Sequence, residues 1–342
     1  MTGTCKQWIL RRRPVGLVAE GDLELVESDI PVPGEGEVQI RTIYLSLDPT
    51  NRIWMDSRDQ YMPPVEIGQP MRGGTLGIVE ASRNAGFSRG DIVSPGLGAW
   101  ESHSVIHGSR LKAVKIAPGL PLSAHMSVLG GAGITAYFGV TEVARPQPGE
   151  TLVVSAAAGS VGSLACQIAK HQGARVVGIA GGEEKCDWLM SQLRLDGAID
   201  YKSEDVGTAL DRLCPTGVDA IFENVGGHIM EEAFSRLNNH GRLAICGLIS
   251  SYNDTGPVPW PGDFASVLMR RLEIRGLLLS DYYPRAGEAL RYLSERLSEQ
   301  KIVWRVEFID GIENAVEGLE RLFKGKNSGK LLVRVSPDDG LV

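Results

Sequence analysis

The sequence is poor in features that would tie it to an oxidising compartment or to a membrane. Only five of its 342 residues are cysteines, and their scattered spacing fits neither a disulfide framework nor a metal cluster. No apolar run reaches the about 18 residues that a membrane-spanning helix needs, and the first residues lack the apolar core of a signal peptide. We therefore expect a cytoplasmic protein with no membrane partner.

Positive charge is also scarce. Lys and Arg number 35 against 42 Asp and Glu, which gives a formal net charge of −7. Broad electrostatic binding to nucleic acid needs a basic face, so this balance argues against a nucleic-acid partner. It does not exclude an anionic small molecule, because a few local cations are enough to hold one.

Metal-ligand patterns are missing as well. Catalytic zinc needs three Cys, His or carboxylate ligands, and the six histidines form no such set with the cysteines. His103 and His107 are four residues apart, but the segment around them, SHSVIHG, is typical of a strand and not of a helix. We predict no bound metal.

Two textures divide the chain. Up to about residue 120, short β-like runs such as EVQIRTIYLSL at 37–47 are broken by Gly and Pro, which predicts a compact β-rich fold. From about residue 150, strands alternate with amphipathic helices, which predicts βαβ units and a doubly wound parallel sheet. The tail, with WRVEFID and KLLVRV around one helix, is expected to return to the β-rich part. The predicted strands of the parallel sheet are 151–157, 174–180, 198–201, 218–225, 242–247 and 272–280.

A glycine-rich turn is the sharpest local signal. The segment AAAGSVG at 156–162 follows a strand and opens a helix, which is the context of a dinucleotide-binding fingerprint. Gly159 allows a pyrophosphate to approach the backbone, Gly162 allows the helix to pack on the strand, and the helix N-terminus favours an anion. Ala157 stands where the fingerprint has its first glycine, so a plain strand–turn–helix is the alternative.

The second strand of the parallel sheet lacks the acidic residue that an NAD site places at its end. It ends at Ala180 and is followed by Gly181 and Gly182, so no carboxylate is there to bind a ribose 2′-hydroxyl or repel a 2′-phosphate. Lys185 and Tyr201 are candidate partners of that phosphate, although Lys185 is also explained as an ordinary exposed lysine. The pattern favours NADPH over NADH.

Longer segments resemble a known family. They are GITAYFGVTEVARPQPGETLVVSAAAGSVGSLACQIAKHQGARVVGIAGGEEKC from Gly133, LSLDPTNRIWM at 45–55, IFENVGG at 221–227, CGLISSYN at 246–253 and GKNSGKLLVRV at 325–335. Together they resemble the zinc-independent prostaglandin reductase and 2-alkenal (double-bond) reductase group of the medium-chain dehydrogenase/reductase superfamily. The resemblance implies a GroES-like catalytic domain, placed at 1–125, a Rossmann NADP-binding domain at 126–300, and a return to the catalytic domain at 301–342. It also implies a homodimer.

The resemblance carries site residues with it. It implies cofactor contacts from Gly159, Ser160, Val161 and Gly162 at the pyrophosphate, Gly181, Lys185 and Tyr201 around the 2′-phosphate, Asn224, Cys246, Gly247 and Ser250 on the nicotinamide ribose side, and Asn327 from the tail. It implies that Tyr252 donates a proton or stabilises an enolate. Packing of the loop is the alternative role for this tyrosine.

The expected substrate pocket departs from the family. Thr50 and Asn51 stand where the group often has Tyr and Met, so the pocket lacks a tyrosine found in relatives. Trp260, in a loop rich in Pro and Gly, is expected either to contact the substrate or to pack in a core.

Without a metal, hydride addition to the β-carbon of a conjugated enone or enal is the favoured chemistry, because a hydrogen-bond donor can stabilise the resulting enolate. The alternatives are an NADPH:quinone oxidoreductase and a non-catalytic NADPH-binding sensor.

Overall fold

Both textures of the sequence appear as separate groups of elements. The structure is a computed structural model that describes residues 3–338. In this range the strands are β1 Thr4–Leu10, β2 Leu23–Asp29, β3 Glu37–Ser46, β4 Arg72–Ser82, β5 Ile92–Ala99, β6 His103–His107, β7 Lys112–Ala113, β8 Thr151–Val154, β9 Arg175–Ala180, β10 Gly197–Asp200, β11 Val218–Glu223, β12 Leu237–Ile245, β13 Glu273–Gly276, β14 Val306–Asp310 and β15 Lys330–Arg334. The helices are α1 Thr50–Trp54, α2 Gly131–Phe138, α3 Ser160–His171, α4 Glu183–Ser191, α5 Val206–Leu213, α6 Gly227–Ser235, α7 Ala265–Arg270, α8 Ala286–Ser298 and α9 Ala315–Phe323.

Strands β8 to β13 form one six-stranded sheet. Its order is β10-β9-β8-β11-β12-β13, and each neighbouring pair is parallel. This is the doubly wound Rossmann order, in which the direction of winding reverses between β8 and β11. The reversal leaves a crevice at the carboxyl ends of these two strands, and the predicted α/β fold class is confirmed.

Both faces of this sheet are buried. Leu152 and Val154 of β8 join one core with Leu164 of α3, whereas Val153, between them, joins a second core with Leu210 of α5. Successive residues of a strand point to opposite faces, so a strand covered on both sides is apolar throughout. Burial of each such side chain stabilises the fold by about 1.5–3 kcal/mol. The strands are therefore held firmly in place, and so are the loops at their carboxyl ends, which form the crevice.

The second large sheet has seven strands and combines both ends of the chain. Its main path is β14-β15-β3-β4-β5-β7, and β6 pairs with β3. Strand β15 runs antiparallel to β3, with Val333 opposite Leu45. The C-terminal segment thus completes the β-rich, GroES-like part of the molecule. The boundaries at residues 125 and 300 remain predictions.

Two predicted strands are shorter than their apolar runs. The first ends at Val154 instead of residue 157, because Ser155 begins the turn that enters the crevice. The last, β13, ends at Gly276 instead of residue 280. Its neighbour β12 ends at Ile245, whose carbonyl accepts the amide of Leu277, so the chain beyond has no strand left to pair with.

The helices are short and face the cores. The longest of those named above, α8, has 13 residues and buries Ala289, Leu293 and Leu297 along one side. A membrane-spanning helix needs about 20 predominantly apolar residues. Within residues 3–338, no helix is long and apolar enough to cross a membrane.

Candidate active site and cofactor crevice

The glycine-rich turn forms one wall of the crevice. Ala156 has φ +47°, a left-handed conformation that costs an L-residue about 1–2 kcal/mol. A Cβ at Gly162 would lie 2.4 Å from the carbonyl oxygen of Ala156, so the close packing of α3 on this turn requires glycine. No side chain caps the helix at Gly159, so the first turn of α3 presents backbone amides without a side-chain partner, as an anion site requires.

The residues predicted around a 2′-phosphate lie together at the end of β9. A Cβ at Gly181 would lie 2.7 Å from the Tyr201 ring, which shows how closely the two residues approach. The Lys185 ammonium donates to the carbonyl oxygen of Gly325 at 2.7 Å. Burial, followed by the nearby charge of Lys202, lowers the pKa of Lys185. A bound phosphate would offset both effects, so this corner suits a dianion.

Asp200 shapes this corner, and the sequence analysis did not single it out. Its Oδ1 accepts the amides of Gly182 at 2.7 Å and Lys202 at 3.0 Å. These bonds, that from Gly182 first, lower the pKa of Asp200. The carboxylate is thus occupied by backbone groups and holds the glycine pair that follows β9. Only the pairing of β10 with β9 reveals this contact.

The residues predicted for the nicotinamide side lie at the ends of β11 and β12. The amides of Cys246 and Gly247 both donate to the carbonyl oxygen of Glu223, and Ser250 Oγ donates to Val225 O at 2.7 Å. A Cβ at Gly247 would lie 3.3 Å from the carbonyl oxygen of Asn224. Burial raises the pKa of the Cys246 thiol to about 12, so this thiol is neutral.

A buried carboxyl ties these loops to the glycine-rich turn. Glu223 Oε1 accepts from Ser155 Oγ at 2.6 Å and from the amides of Val225 and Gly226. Ser155 Oγ in turn accepts the amide of Asn224 at 2.7 Å. Glu223 is fully buried, and its Oε2 has no hydrogen-bond partner among the described residues. The sequence analysis missed Glu223 and Ser155, although each is a polar residue at the end of an otherwise apolar strand.

Tyr252 lies beside the nicotinamide loops. It follows the short helical turn Ile249–Ser251, and its Oη accepts the amide of Leu248 at 3.0 Å. A Cβ at Gly247 would lie 3.1 Å from the same oxygen. Burial raises the pKa of Tyr252 to about 12, so the phenol is protonated at neutral pH. Because its oxygen is the acceptor in the bond to Leu248, its hydrogen is available for donation.

Four residues are predicted for the substrate pocket, namely Tyr252, described above, with Thr50, Asn51 and Trp260, and they occupy different environments. Thr50 is half-buried and its hydroxyl is hydrogen-bonded to the Tyr61 hydroxyl. Asn51 is fully buried, accepts the amide of Asp48 and donates to Arg72 O, so its amide is used within the protein.

Trp260 packs at the surface of the cofactor part. Its ring makes edge-on contacts with Phe234 of α6 and with Phe264, at centroid distances of 5.7 and 4.7 Å. These are packing contacts. The ring is 38% exposed, so Trp260 is not in a core, and its contact with a substrate remains a prediction.

The tail lies directly on the glycine-rich turn. The amide of Gly329 donates to Ala158 O at 3.0 Å, and Gly329 forms a parallel bridge with Gly159. Asn327 Nδ2 donates to the carbonyl oxygen of Gly329 at 3.0 Å, which braces the loop. The glycine-rich turn, about 170 residues earlier in the chain, therefore holds the loop of Asn327 beside the crevice.

Lys330 connects this tail to the loop after β3. Its ammonium is 3% exposed and donates to Leu47 O at 2.7 Å, to Leu331 O at 3.1 Å and to Asp48 Oδ1 at 3.1 Å. A buried ammonium is costly unless its hydrogens are all satisfied, and here they are. This lysine therefore fixes the loop that leads to Thr50.

The histidine pair that the sequence analysis considered for a metal lies on strand β6. His103 and His107 are its first and last residues. Burial lowers the pKa of His103, and Glu80 is its acidic neighbour. Across residues 3–338, no group of three or more His, Cys, Asp or Glu side chains is arranged to hold a metal ion.

Comparisons with known proteins agree with this architecture. Residues 6–114 match the family model described as the N-terminal domain of oxidoreductase, and residues 160–295 match the model described as zinc-binding dehydrogenase. The chain is 41% identical over 339 residues to NADPH-dependent curcumin reductase of Escherichia coli (strain K12), covering 98% of each chain.

A plant relative and a solved structure extend the match. The chain is 36% identical over 336 residues to 2-alkenal reductase (NADP(+)-dependent) of Nicotiana tabacum, covering 97% of each chain. The structure of CurA in complex with NADPH from Vibrio vulnificus superposes with a TM-score of 0.91 at 38% identity, over 97% of this chain and 99% of that one. The chain therefore belongs to the medium-chain dehydrogenase/reductase superfamily and, within it, to the zinc-independent prostaglandin reductase and 2-alkenal reductase group.

Proposed function

We propose that this protein uses NADPH to reduce the carbon–carbon double bond of α,β-unsaturated ketones or aldehydes. The observation that carries the proposal is the position of Tyr252, a protonated and mostly buried phenol beside the loops after β11 and β12. Relatives named as an NADPH-dependent curcumin reductase and a 2-alkenal reductase support it.

The residues of the crevice fit NADPH. The amides opening α3 at Ser160 and Val161 would hold the diphosphate, and Lys185 with Tyr201 would hold the 2′-phosphate. Gly181 and Gly182 carry no acidic side chain that would repel this phosphate. When bound, the cofactor supplies a hydride.

The nicotinamide half would lie against the loops that Glu223 braces, with contacts from Asn224, Cys246, Gly247 and Ser250. Asn327 would close the crevice from the tail, because its loop already rests on the glycine-rich turn.

Tyr252 supplies the remaining chemistry. When hydride adds to the β-carbon, negative charge develops on the carbonyl oxygen as an enolate, and the phenol hydrogen can donate to that oxygen. The α-carbon then takes a proton from Tyr252, directly or through water, and the phenol is restored from solvent. The product is the saturated ketone or aldehyde, with one hydride and one proton added across the former double bond.

A product analysis tests this function. The protein is supplied with NADPH deuterated at C4 and with 4-phenyl-3-buten-2-one, and the product is examined by NMR. The proposal expects 4-phenylbutan-2-one with deuterium at the β-carbon. An allylic alcohol, or NADPH oxidation with quinones but not with any enone or enal, would contradict it, and NADPH binding without turnover would favour a sensor.

We also propose that the protein forms a homodimer through the cofactor part. Strand β13 is the edge of the parallel sheet, and its backbone is open to pairing. Close to it in the chain, Phe264, Leu268 and Met269 are 65–74% exposed, an apolar surface of the kind that marks an interface. The replacement Leu268→Glu should shift the mass measured by light scattering from dimer to monomer, whereas a monomeric parent protein would overturn the proposal.

A further inference from the structure

Tyr61 occupies the neighbourhood of the tyrosine that this chain lacks. Thr50 stands where the group often has tyrosine, and its Oγ1 is hydrogen-bonded to the hydroxyl of Tyr61, eleven residues further on. The Tyr61 ring is 44% exposed, so part of it faces open space. A phenol is therefore present beside Thr50, although it comes from another part of the chain.

The hydroxyl of Tyr61 can form one hydrogen bond more than the two it makes within the protein. A tyrosine hydroxyl has one hydrogen and two acceptor positions. Trp54 Nε1 donates to Tyr61 Oη at 2.8 Å, which uses one acceptor position, and the bond to Thr50 uses either the hydrogen or the other acceptor position. Because either oxygen of the pair is able to donate, the two hydroxyls together can offer a ligand a donor or an acceptor.

The loop that carries Tyr61 reaches the loop that carries Tyr252. The guanidinium of Arg58 donates to the carbonyl oxygen of Asp254 at 2.9 Å, two residues beyond Tyr252. Burial is the main cause of the raised pKa of Tyr252, and the nearby Tyr61 phenol adds to it. The loops that carry Tyr61 and Tyr252 are therefore in contact where the β-rich part meets the cofactor part.

We propose that Thr50 and Tyr61 form a paired-hydroxyl subsite that selects enones bearing a second hydrogen-bonding group, such as a phenol, in addition to the conjugated carbonyl. The inference rests on the function proposed above, because Tyr252 is taken to bind the carbonyl. A bound substrate would cover these partly exposed hydroxyls, so a substrate that completes their hydrogen bonds is favoured over an apolar analogue that leaves them unpaired.

The test compares two substrates that differ by one hydroxyl. They are 4-phenyl-3-buten-2-one and its para-hydroxyphenyl derivative, assayed with the parent protein, Tyr61→Phe, Thr50→Val and the double variant. Tyr292→Phe, on α8 and bonded to His171, is the matched control. Each cleft replacement removes a single polar function and keeps the side-chain shape, so the fold is retained.

Loss of one hydrogen bond corresponds to about a 10-fold change. We expect Tyr61→Phe and Thr50→Val each to lower kcat/KM for the hydroxylated enone about 10-fold and for the plain enone less than 2-fold. The double variant should lose little more than either single one, because the two hydroxyls act as a unit. The KM for NADPH should not change.

The outcomes separate this inference from the proposed function. If the parent protein reduces both enones and Tyr61→Phe lowers both rates equally, the subsite is wrong and the function stands. The same holds if Tyr61→Phe changes neither rate. If the parent protein reduces no enone or enal, the proposed function fails and the subsite with it.

Discussion

The two sides of the cleft are built in different ways. The cofactor side is made largely from one continuous stretch, in which β8, the turn at 156–162 and α3 follow one another in the chain. The substrate side is assembled from distant segments that carry Thr50, Tyr61, Tyr252 and Lys330. The first can be recognised from a short motif, whereas the second exists only after the chain has folded.

This difference has a physical basis. Binding a diphosphate needs free amides, a helix N-terminus and the absence of side chains, all of which a few adjacent residues supply. Placing a proton donor against a carbonyl needs groups that converge from several directions, which is the role proposed above for Tyr252 with Tyr61 nearby. Substitutions on the substrate side should therefore lower the rate of reduction, whereas substitutions on the cofactor side should lower NADPH affinity.

The largest effect is expected on the substrate side. Replacing Tyr252 by Phe removes the hydroxyl and leaves the ring, so kcat for enone reduction should fall on the order of 100- to 1000-fold while NADPH affinity is kept. Because the pKa of Tyr252 is raised to about 12, the phenol stays protonated, and its role should add no pH dependence to kcat between about pH 6 and 9. Steady-state rates of the parent protein and of Tyr252→Phe across this pH range measure the loss of kcat and its pH dependence. An unchanged kcat would show that Tyr252 is only a packing residue.

The next effect is expected on the cofactor side. In Gly162→Ala, the new Cβ would lie 2.4 Å from the carbonyl oxygen of Ala156, and the turn must shift. We expect NADPH affinity to fall about 5- to 150-fold, because overpacking of this kind costs about 1–3 kcal/mol. Fluorescence titration with NADPH measures the loss. Gly287→Ala is the matched control, since nothing lies within 4 Å of a Cβ there. Equal NADPH affinities in the two variants would contradict binding of the cofactor at the glycine-rich turn.

The two parts differ in how they hold a carboxyl that is shielded from water: Glu223 is fully buried, and Glu101 is partly buried. Glu223 is held by several donors, whereas Glu101 of the β-rich part has the amide of Gln7 as its hydrogen-bond donor. Burial raises the pKa of Glu101 to about 7, against about 4.3 in an unfolded chain. The folded state then binds this proton more tightly, so Glu101 lowers stability progressively as the pH rises from about 4.3 to 7.

Glu101→Gln should remove this dependence. Its free energy of unfolding should match that of the parent protein near pH 4.5 and exceed it by about 2–3 kcal/mol at pH 8. Urea unfolding at the two pH values measures the difference. Glu35→Gln, whose parent side chain is 88% exposed, is the control. An equal gain at both pH values would show that Glu101 does not titrate in this way.

The smallest effect sharpens the cofactor assignment. Lys185→Met removes the ammonium that lies beside Tyr201 and Gly325, and NADPH affinity should fall about 10-fold through the lost charge-assisted bond. NADH affinity should change less than 2-fold, because NADH has no 2′-phosphate. Titration with both nucleotides, with exposed Lys301→Met as control, separates the two. A parallel loss for NADH would place Lys185 outside the phosphate site.

Most of the cofactor side could be predicted from the sequence. Apolar strands alternating with helices indicated the parallel sheet, and AAAGSVG indicated the turn, because both depend on residues that are close in the chain. The absence of a carboxylate after β9 pointed to NADPH for the same reason. The lengths of the first and last predicted strands were wrong, because the chain turns into the crevice at Ser155 and because β12, the neighbour of β13, ends at Ile245.

Only the tertiary structure decided which residues from different strands and loops form hydrogen bonds with one another. Glu223 with Ser155, Asp200 with Gly182, and Lys330 with Asp48 are contacts across strands or between parts of the chain. The same holds for the bond of Tyr61 to Thr50, because hydrogen bonds between distant residues leave no periodic trace in the sequence. The chain by itself determined a nucleotide-binding fold and its glycine-rich turn, and packing decided which polar groups from distant segments meet one another.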